Sequence, residues 1–372
     1  MTSAPDPIES VECFDVRVPL PQPLTIGSAR VTARYYTIVR IRCASGVEGV
    51  GHTFSRGLPI AAIVRDLLAP AARGADATMP EGVRGKLVSA YWPSADHGTF
   101  TAAVSAVDLA LWDAMGRRLS VPVSRLLGEV RRAVPVCVVA GYVYDDDDAT
   151  LRRELEEAVS LGARSIKLVA GADSIERDRR RLALAREIVG DGVLLAIDAF
   201  RSFRDLDDAV RRVRALAAFD LSFVEDPFSE TLAPLVRTLR ERTGVSIALG
   251  ESLAGHRAIR GLIDAGAVDV VRLDALVIGG VREFMRAAGL ASAYGLPVAT
   301  HVHTDVHVHF AAAIGNLFAG GVEYMLPSSE VDVLHHIQRE RLKVAGGLAH
   351  VPDRPGFGID WDWKLIARYT HG

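Results

Sequence analysis

Eight short apolar runs alternate with segments of helical periodicity over most of the chain after about residue 131. Strand–helix alternation of this kind builds a parallel sheet, and eight repeats are the number that closes a barrel. A doubly wound open sheet is the structural alternative, but no glycine-rich phosphate loop follows the first strand. The runs are Val134–Ala140, Ser165–Val169, Val193–Asp198, Leu221–Glu225, Ser246–Glu251, Val270–Asp274, Leu296–His301 and Val322–Leu326.

The first third of the chain has a different pattern, with strands first and helices after them. Val11–Leu20 and Tyr35–Cys43 are rich in β-branched and apolar residues, and the Pro- and Gly-containing segment Pro19–Gly27 is predicted to separate them. Helical patterns follow at Ile60–Ala71 and Thr101–Leu119. Strands followed by helices without alternation indicate a small α+β domain.

These patterns divide the chain into three parts. We expect an α+β domain over residues 1–130, which the family resemblance described below implies is a capping domain, and a (β/α) barrel over residues 131–343. The segment 344–372 follows the eighth strand and carries Trp361 and Trp363. It is predicted to pack back onto the capping domain.

Net charge and cysteine spacing indicate which kind of partner and which compartment to expect. The formal net charge of −3 gives no reason to expect nucleic acid or a membrane surface. The three cysteines are scattered without a CxxC pair, which suits a reducing compartment, and neither a signal segment nor a spanning apolar run is evident. We therefore expect a cytoplasmic protein whose partner is a small molecule, and we expect a homo-oligomer.

Charged residues close the barrel strands in succession. The intervals between them are 27, 26, 23, 27 and 22 residues, each about one strand plus one helix. Any single acid could simply cap the next helix, but six in a row place a set of side chains on the rim where barrel enzymes hold their active sites. The residues are Asp198, Glu225, Glu251, Asp274, His301 and, early in the last run, Glu323.

The first three of these acids predict a metal site. Carboxylates from neighbouring strands repel one another unless a cation lies between them. Asp198, Glu225 and Glu251 offer only hard oxygen ligands, which favours Mg²⁺, with Mn²⁺ as the alternative ion, over zinc or copper.

Asp274 and His301 end adjacent strands, so the carboxylate can reach one imidazole nitrogen. Such a contact fixes the tautomer and raises the basicity of the other nitrogen, as a general base requires. The neighbouring His303, His307 and His309 are interpreted as packing, because nothing around them offers the closed ligand set of a zinc site.

The motifs resemble the enolase superfamily, specifically its mandelate racemase-like subgroup, over essentially the whole chain. The resemblance implies a TIM-like (β/α)7β barrel, with an α+β capping domain built from both termini. It further implies Mg²⁺ on Asp198, Glu225 and Glu251, a base dyad Asp274–His301, and Glu323 as a hydrogen-bond donor to the substrate carboxylate. The matching stretches are Ala103–Gly128, Phe223–Phe228, Ala248–Ser252, Arg272–Val281 and the pair His301 and Glu323.

Two departures from the subgroup bear on the reaction. Members usually carry Lys-x-Lys at the end of the second strand, the later Lys being the second base. Here Lys167 matches the first lysine, and Val169 stands at the second. Phe200 stands where an asparagine is common, which makes that part of the pocket more apolar.

Racemisation needs a group on each face of the planar intermediate, whereas one base and a metal suffice for dehydration. We therefore expect an acid-sugar or hydroxy-acid dehydratase that removes the proton next to a carboxylate through an ene-diolate. The alternatives are a racemase or epimerase with Lys167 as second base, and a catalytically degenerate metal- or acid-binding protein.

The expected substrate contacts are Lys167, Glu323 and Arg56 in the loop His52–Pro59. A solvated surface charge is an equally good interpretation of Arg56. Two further loops could contribute to specificity, namely Pro19–Arg30 and the loop that holds His97.

Overall fold

An antiparallel sheet in the order β1–β2–β3 opens the capping region. The computed structural model describes residues 4–26, 29–94, 98–143, 147–171 and 174–371. The three strands are β1 (Ile8–Ile26), β2 (Ala29–Cys43) and β3 (Glu48–Phe54). Apolar side chains of the sheet and of the following helices form one buried core.

Five helices follow the sheet, and a π-helical turn over Val64–Leu68 joins the first two of them. The longest helix packs against β3 so closely that a Cβ on Gly51 would lie 2.2 Å from the carbonyl oxygen of Ala106. Glycine in β3 therefore permits the contact between strand and helix. The helices are α1 (Ile60–Ile63), α2 (Ala69–Ala72), α3 (Pro80–Ala90), α4 (Gly98–Leu119) and α5 (Val123–Leu126).

The predicted (β/α)7β barrel is confirmed. The first seven barrel strands pair in parallel in chain order, and the eighth strand pairs in parallel with the first. In the seventh strand, Val298–Thr300, the backbone of Val298 forms hydrogen bonds with the backbone of Asn316 and Phe318. The strands are β4 (Ala133–Ala140), β5 (Ser165–Val169), β6 (Leu194–Asp198), β7 (Leu221–Glu225), β8 (Ile247–Leu249), β9 (Val270–Leu273), β10 (Val298–Thr300) and β11 (Val322–Met325).

Seven helices cover the outside of the barrel, and their apolar faces and the strands form the largest core of the molecule. They are α6 (Ala149–Leu161), α7 (Ile175–Val189), α8 (Leu206–Leu216), α9 (Ala233–Thr243), α10 (Gly255–Asp264), α11 (Val281–Ala293) and α12 (Thr304–Ala313). Short 3-10 turns occur at Trp92–Ser94, Ala217–Phe219, Glu230–Leu232, Pro327–Ser329 and Leu334–Ile337. In the described part of the chain, none of the helices is long and apolar enough to cross a membrane.

The C-terminal segment contacts both parts of the molecule. The hairpin of β12 (Val344–Ala345) and β13 (Leu348–His350) joins the barrel, because β13 pairs antiparallel with β4. Helix α13 (Trp363–Tyr369) instead lies against β1, where Thr370 bridges to Val16. The segment therefore connects the cap to the barrel. The domain limits 1–130, 131–343 and 344–372 stay a prediction.

The segment Pro19–Gly27, expected to break the sheet, is strand as far as Ile26. The ladder between β1 and β2 continues past a register shift between Pro19 and Leu24. Proline is tolerated because β1 is an edge strand of the three-stranded sheet and because the prolines lie at the irregularity.

Asp113 of α4 joins three segments that are distant in sequence. Its buried carboxylate accepts hydrogen bonds from the backbone N–H groups of Val50 in β3, at 2.9 Å, and of Phe357, at 2.7 Å. Arg117 donates to the same carboxylate at 2.7 Å. The carboxylate therefore holds the C-terminal segment against the cap.

We predict that Asp113→Ala lowers the free energy of unfolding by about 2 to 4 kcal/mol, because two buried N–H groups lose their acceptor. Urea denaturation followed by circular dichroism measures the change. Asp66→Ala is the control, since its ion pair is more than half exposed, and it should change stability by less than about 0.5 kcal/mol. Equal stability of the two variants would contradict the role given to Asp113.

Candidate active site

The side chains predicted from the strand ends lie together on the rim at the carboxyl ends of the barrel strands. Asp198 and Glu225 are the last residues of β6 and β7, and the strand register places them opposite each other. Glu323 lies within β11. Three further side chains follow β8, β9 and β10 within two residues, and they are Glu251, Asp274 and His301.

A cavity of about 490 Å³ opens at this rim, between the barrel and the cap. Its barrel side includes His301 and the carboxylates of Asp198 and Glu251. Its cap side includes Phe54 and Arg56 from the end of β3 and the loop after it. The cavity is therefore anionic at its base and carries cationic groups on the opposite wall.

Lys167 lies buried at the base of the cavity, among three carboxylates. Its Nζ is 2.8 Å from Glu225, 3.2 Å from Asp198 and 2.5 Å from Glu323. Burial alone would lower the pKa of the ammonium group, but these three carboxylates raise the pKa of Lys167 well above its usual value. These contacts therefore favour the charged form of the lysine, and its role as a base or as a substrate contact stays a prediction.

Arg272 is a second buried cation, and the sequence patterns did not single it out. Its guanidinium lies 2.9 Å from Glu225 and 2.6 Å from Glu323, with a longer contact of 3.4 Å to Glu251. It also donates to the carbonyl oxygen of Thr300 at 2.8 Å. The sequence contains one signal for it, since Arg272 is a charged residue inside an apolar barrel strand. It lies two positions before Asp274 and therefore on the same face of the strand.

Lys167 and Arg272, with the carboxylates of Asp198, Glu225, Glu251 and Glu323, form what we name the rim network. With His301 neutral, its four carboxylates exceed its two cations by two negative charges. Burial, and after it the neighbouring carboxylates, raise the pKa of Glu225 to about 7 even though both cations oppose the shift.

The rim network is suited to a divalent cation. Two uncompensated charges and a set of oxygen donors are the environment that Mg²⁺ prefers. Asp198, Glu225 and Glu251 would hold the ion, and Lys167 lies between the first two of these in this structure. Metal binding at these three residues stays a prediction.

The dyad of Asp274 and His301 has the geometry expected of it. The Nδ1 atom of His301 is 2.8 Å from Asp274 Oδ2, and the other oxygen of Asp274 accepts the N–H of Leu276 at 2.8 Å. The Nε2 atom of His301 faces the cavity and lies 3.4 Å from Glu251. Burial would lower the pKa of His301, but Glu251 and Asp274 raise it above its usual value.

His307 and His309 are buried, in line with their interpretation as packing residues, and His307 also supports the dyad. The ring of His307 accepts the N–H of Ala275 at Nε2 and contacts the carbonyl oxygen of Val302 at 2.7 Å through Nδ1. Since Ala275 follows Asp274 and Val302 follows His301, His307 fixes the two strand ends relative to each other. His309 contacts the carbonyl oxygen of Phe357 and packs elsewhere in the core.

Comparison with known proteins agrees with this architecture. Residues 8–128 match the N-terminal domain model of mandelate racemase / muconate lactonizing enzyme, and residues 150–365 match the enolase C-terminal domain-like model. The chain belongs to the mandelate racemase/muconate lactonizing enzyme family.

Relatives of known activity span almost the full chain. The chain is 31% identical to 3,6-anhydro-alpha-L-galactonate cycloisomerase of Streptomyces coelicolor, over 98% of this chain and 100% of that protein. It is 30% identical to arabinonate dehydratase of Saccharolobus solfataricus, over 86% of both chains. The structure of L-talarate/galactarate dehydratase from Salmonella typhimurium with Mg and L-lyxarohydroxamate superposes with a TM-score of 0.91, at 27% identity, covering 100% of this chain and 95% of that one.

Two positions distinguish this chain from the usual pattern of the family. Val169, at the end of β5, is buried and aliphatic where the second lysine base is common. Phe200 lines the cavity and lies against Tyr142, with ring centroids 5.8 Å apart. Phe200 and Tyr142 therefore make this part of the cavity wall aromatic.

Glu323 differs from the role that the family resemblance implied for it. One oxygen accepts from Lys167 and Arg272, and the other accepts the N–H of Val302 at 2.7 Å. Burial would raise its pKa, but the two cations lower the pKa of Glu323 well below its usual range. In this structure it is an acceptor, and its role as a hydrogen-bond donor stays a prediction.

Residues of the cap complete the cavity wall. Arg56 lies with its guanidinium 5.2 Å from the ring centroid of Phe54, in left-handed backbone with φ of 53°. His303, interpreted from the sequence as packing, also lines the cavity, and neither ring nitrogen hydrogen-bonds within the described residues. His97 lies outside the described residues.

We predict that Arg272→Met lowers the free energy of unfolding by about 3 kcal/mol or more, because it leaves buried carboxylates without their partner. Urea denaturation in metal-free buffer measures this. Arg237→Met removes an exposed ion pair to Glu241 and should cost less than about 1 kcal/mol. An Arg272→Met protein as stable as the control would show that the rim network does not depend on this cation.

Proposed function

We propose that this enzyme removes the proton next to the carboxylate of an acid sugar and dehydrates it, with Mg²⁺ as cofactor. One observation carries the proposal, namely that the cavity has a single well-placed base. His301 faces it with Nε2 available, while Lys167 is held as a cation by three carboxylates and Val169 occupies the position of the second base.

Each residue of the site has a separate role in the proposed reaction. Asp274 holds the Nδ1 proton of His301, so that Nε2 accepts the proton from the substrate carbon. His301 then carries the proton that the departing hydroxyl group needs, and water leaves. Mg²⁺ bound by Asp198, Glu225 and Glu251 would stabilise the negative charge that develops on the substrate carboxylate.

Arg56 and His303 are proposed to bind the remainder of the substrate. Both line the cavity, and both lie against the ring of Phe54. The guanidinium suits a second carboxylate or a hydroxyl group, and the buried imidazole of His303 suits a hydroxyl group. The assignment of an acid sugar to this cavity is supported by the dehydratases among the relatives.

A cycloisomerase of an acid sugar is the second candidate. The relative from Streptomyces coelicolor that matches 98% of this chain carries that activity. Both reactions fit a cavity with one base on one face. A racemase with Lys167 as second base is less well supported, because the neighbouring carboxylates favour the charged form of the lysine. The oligomeric state and the cytoplasmic location stay predictions.

We predict that Asp198→Asn and Glu251→Gln each weaken Mg²⁺ binding by at least about tenfold, because each removes one charged ligand. Isothermal titration calorimetry on chelator-treated protein measures the affinity. Asp207→Asn is the control, since its side chain is 91% exposed. Unchanged Mg²⁺ affinity in both site variants would place the ion elsewhere.

We predict that His301→Asn lowers turnover by at least about 10²-fold, which is the usual effect of losing a general base. A library of mono- and diacid sugars with Mg²⁺ should be screened first, with product mass and α-deuterium exchange followed in deuterated water. Mg²⁺ affinity of the variant should change much less than its turnover.

The product distinguishes the alternatives. Loss of one water supports the dehydratase, and unchanged mass with a ring opened or closed supports the cycloisomerase. Deuterium in both stereoisomers at the α carbon would establish the racemase. Turnover in His301→Asn near that of the wild type would contradict the role of this histidine, and no turnover on any acid sugar would favour a degenerate protein.

A further inference from the structure

A second cluster of metal-binding side chains lies outside the rim network, in the loop that follows β11. Glu330 ends the 3-10 turn Pro327–Ser329 in left-handed backbone, and His335 and His336 are consecutive residues of the turn Leu334–Ile337. Among the described residues, this is the group of three acid, histidine or cysteine ligands whose ligand atoms lie within 4.8 Å of one another.

The distances are those of a preformed ligand set. The Nε2 atoms of His336 and His335 lie 2.8 and 3.9 Å from the same oxygen, Oε2 of Glu330. Ligands about 2.1 Å from a tetrahedral zinc ion lie about 3.4 Å apart, between these two values. The three atoms therefore require only small shifts to receive an ion.

Burial and chemistry favour a ligand at this position. Nε2 of His335 and Oε2 of Glu330 are buried, and neither takes part in a well-formed hydrogen bond in the described structure. The side chains of His336 and Glu330 remain 29% and 36% exposed, so that an ion could enter from solvent. Two imidazoles and a carboxylate form a set that suits Zn²⁺ with one open position, and not Mg²⁺.

We infer that Glu330, His335 and His336 bind a divalent transition metal of the Zn²⁺ type, separate from the Mg²⁺ proposed at the strand ends. The ion would fix the loop that forms one wall of the cavity. Within this loop Val331 accepts from Arg34 at 2.8 Å, and Asp332 accepts from the hydroxyl of Tyr36 at 2.9 Å. The inference does not depend on which acid sugar the enzyme uses.

An ordinary histidine–glutamate pair is the competing interpretation, and the chain offers a matched example of one. His256 and Glu283 form such a pair at 2.5 Å, without a third ligand in that cluster. If the contact between His336 and Glu330 were only an ion pair, both pairs would respond alike to added metal.

The test is a Zn²⁺ titration of chelator-treated full chain by calorimetry, in excess Mg²⁺, with the melting temperature measured in parallel. Wild type should bind Zn²⁺ and gain thermal stability. His336→Asn and Glu330→Gln should each weaken this binding by at least about tenfold and abolish the stabilisation. His256→Asn should behave as wild type.

Zn²⁺ bound by the strand-end acids should remain bound in every variant. The molar equivalent of Zn²⁺ that is lost in His336→Asn and Glu330→Gln therefore measures binding at the new site alone. Circular dichroism without metal establishes that each variant is folded. Of the two substitutions, Glu330→Gln changes the side-chain volume least. Wild-type protein that binds no Zn²⁺, or variants that bind it as tightly as wild type, would overturn the inference.

Discussion

Two cations buried inside the barrel allow four carboxylates to meet at one rim. Removing a carboxylate from water costs several kcal/mol, and an unpaired group would take up a proton instead. Lys167 and Arg272 contact Glu225 and Glu323 from two sides and offset much of this cost. The two charges that remain uncompensated are what a divalent ion can neutralise. The same contacts raise the pKa of Lys167 and so favour its charged form.

The position of the base depends on a second layer of contacts behind the rim. Asp274 accepts from the backbone of Leu276 as well as contacting His301, so its carboxylate cannot rotate freely. His307 connects the residue after Asp274 to the residue after His301. A catalytic imidazole aimed in this way keeps one tautomer and one direction, which matters because small errors in position reduce the rate strongly.

The sequence predicted the barrel and the rim residues because both follow from local periodicity. A strand that is apolar until its last residue places that residue on the rim, as Asp198 and Glu225 show. Arg272 was missed because a cation within a strand has no partner in the local sequence; its partners lie on other strands. His303 was interpreted as packing, since its exposure to the cavity depends on the cap. The extended β1 was missed because proline is normally a break, and only pairing with β2 compensates for it.

Chemistry and specificity are separated in this molecule along the boundary between barrel and cap. In the proposed reaction the rim supplies proton abstraction and charge stabilisation, which are common first steps for a dehydratase and for a cycloisomerase. Which group leaves would then depend on how the rest of the substrate is oriented, in the part of the cavity lined by Arg56, Phe200 and the loop after β11. Tyr36 and Asp332 connect the cap to this loop. Differences in reaction among relatives of similar rim geometry should therefore arise at this boundary rather than at the rim itself.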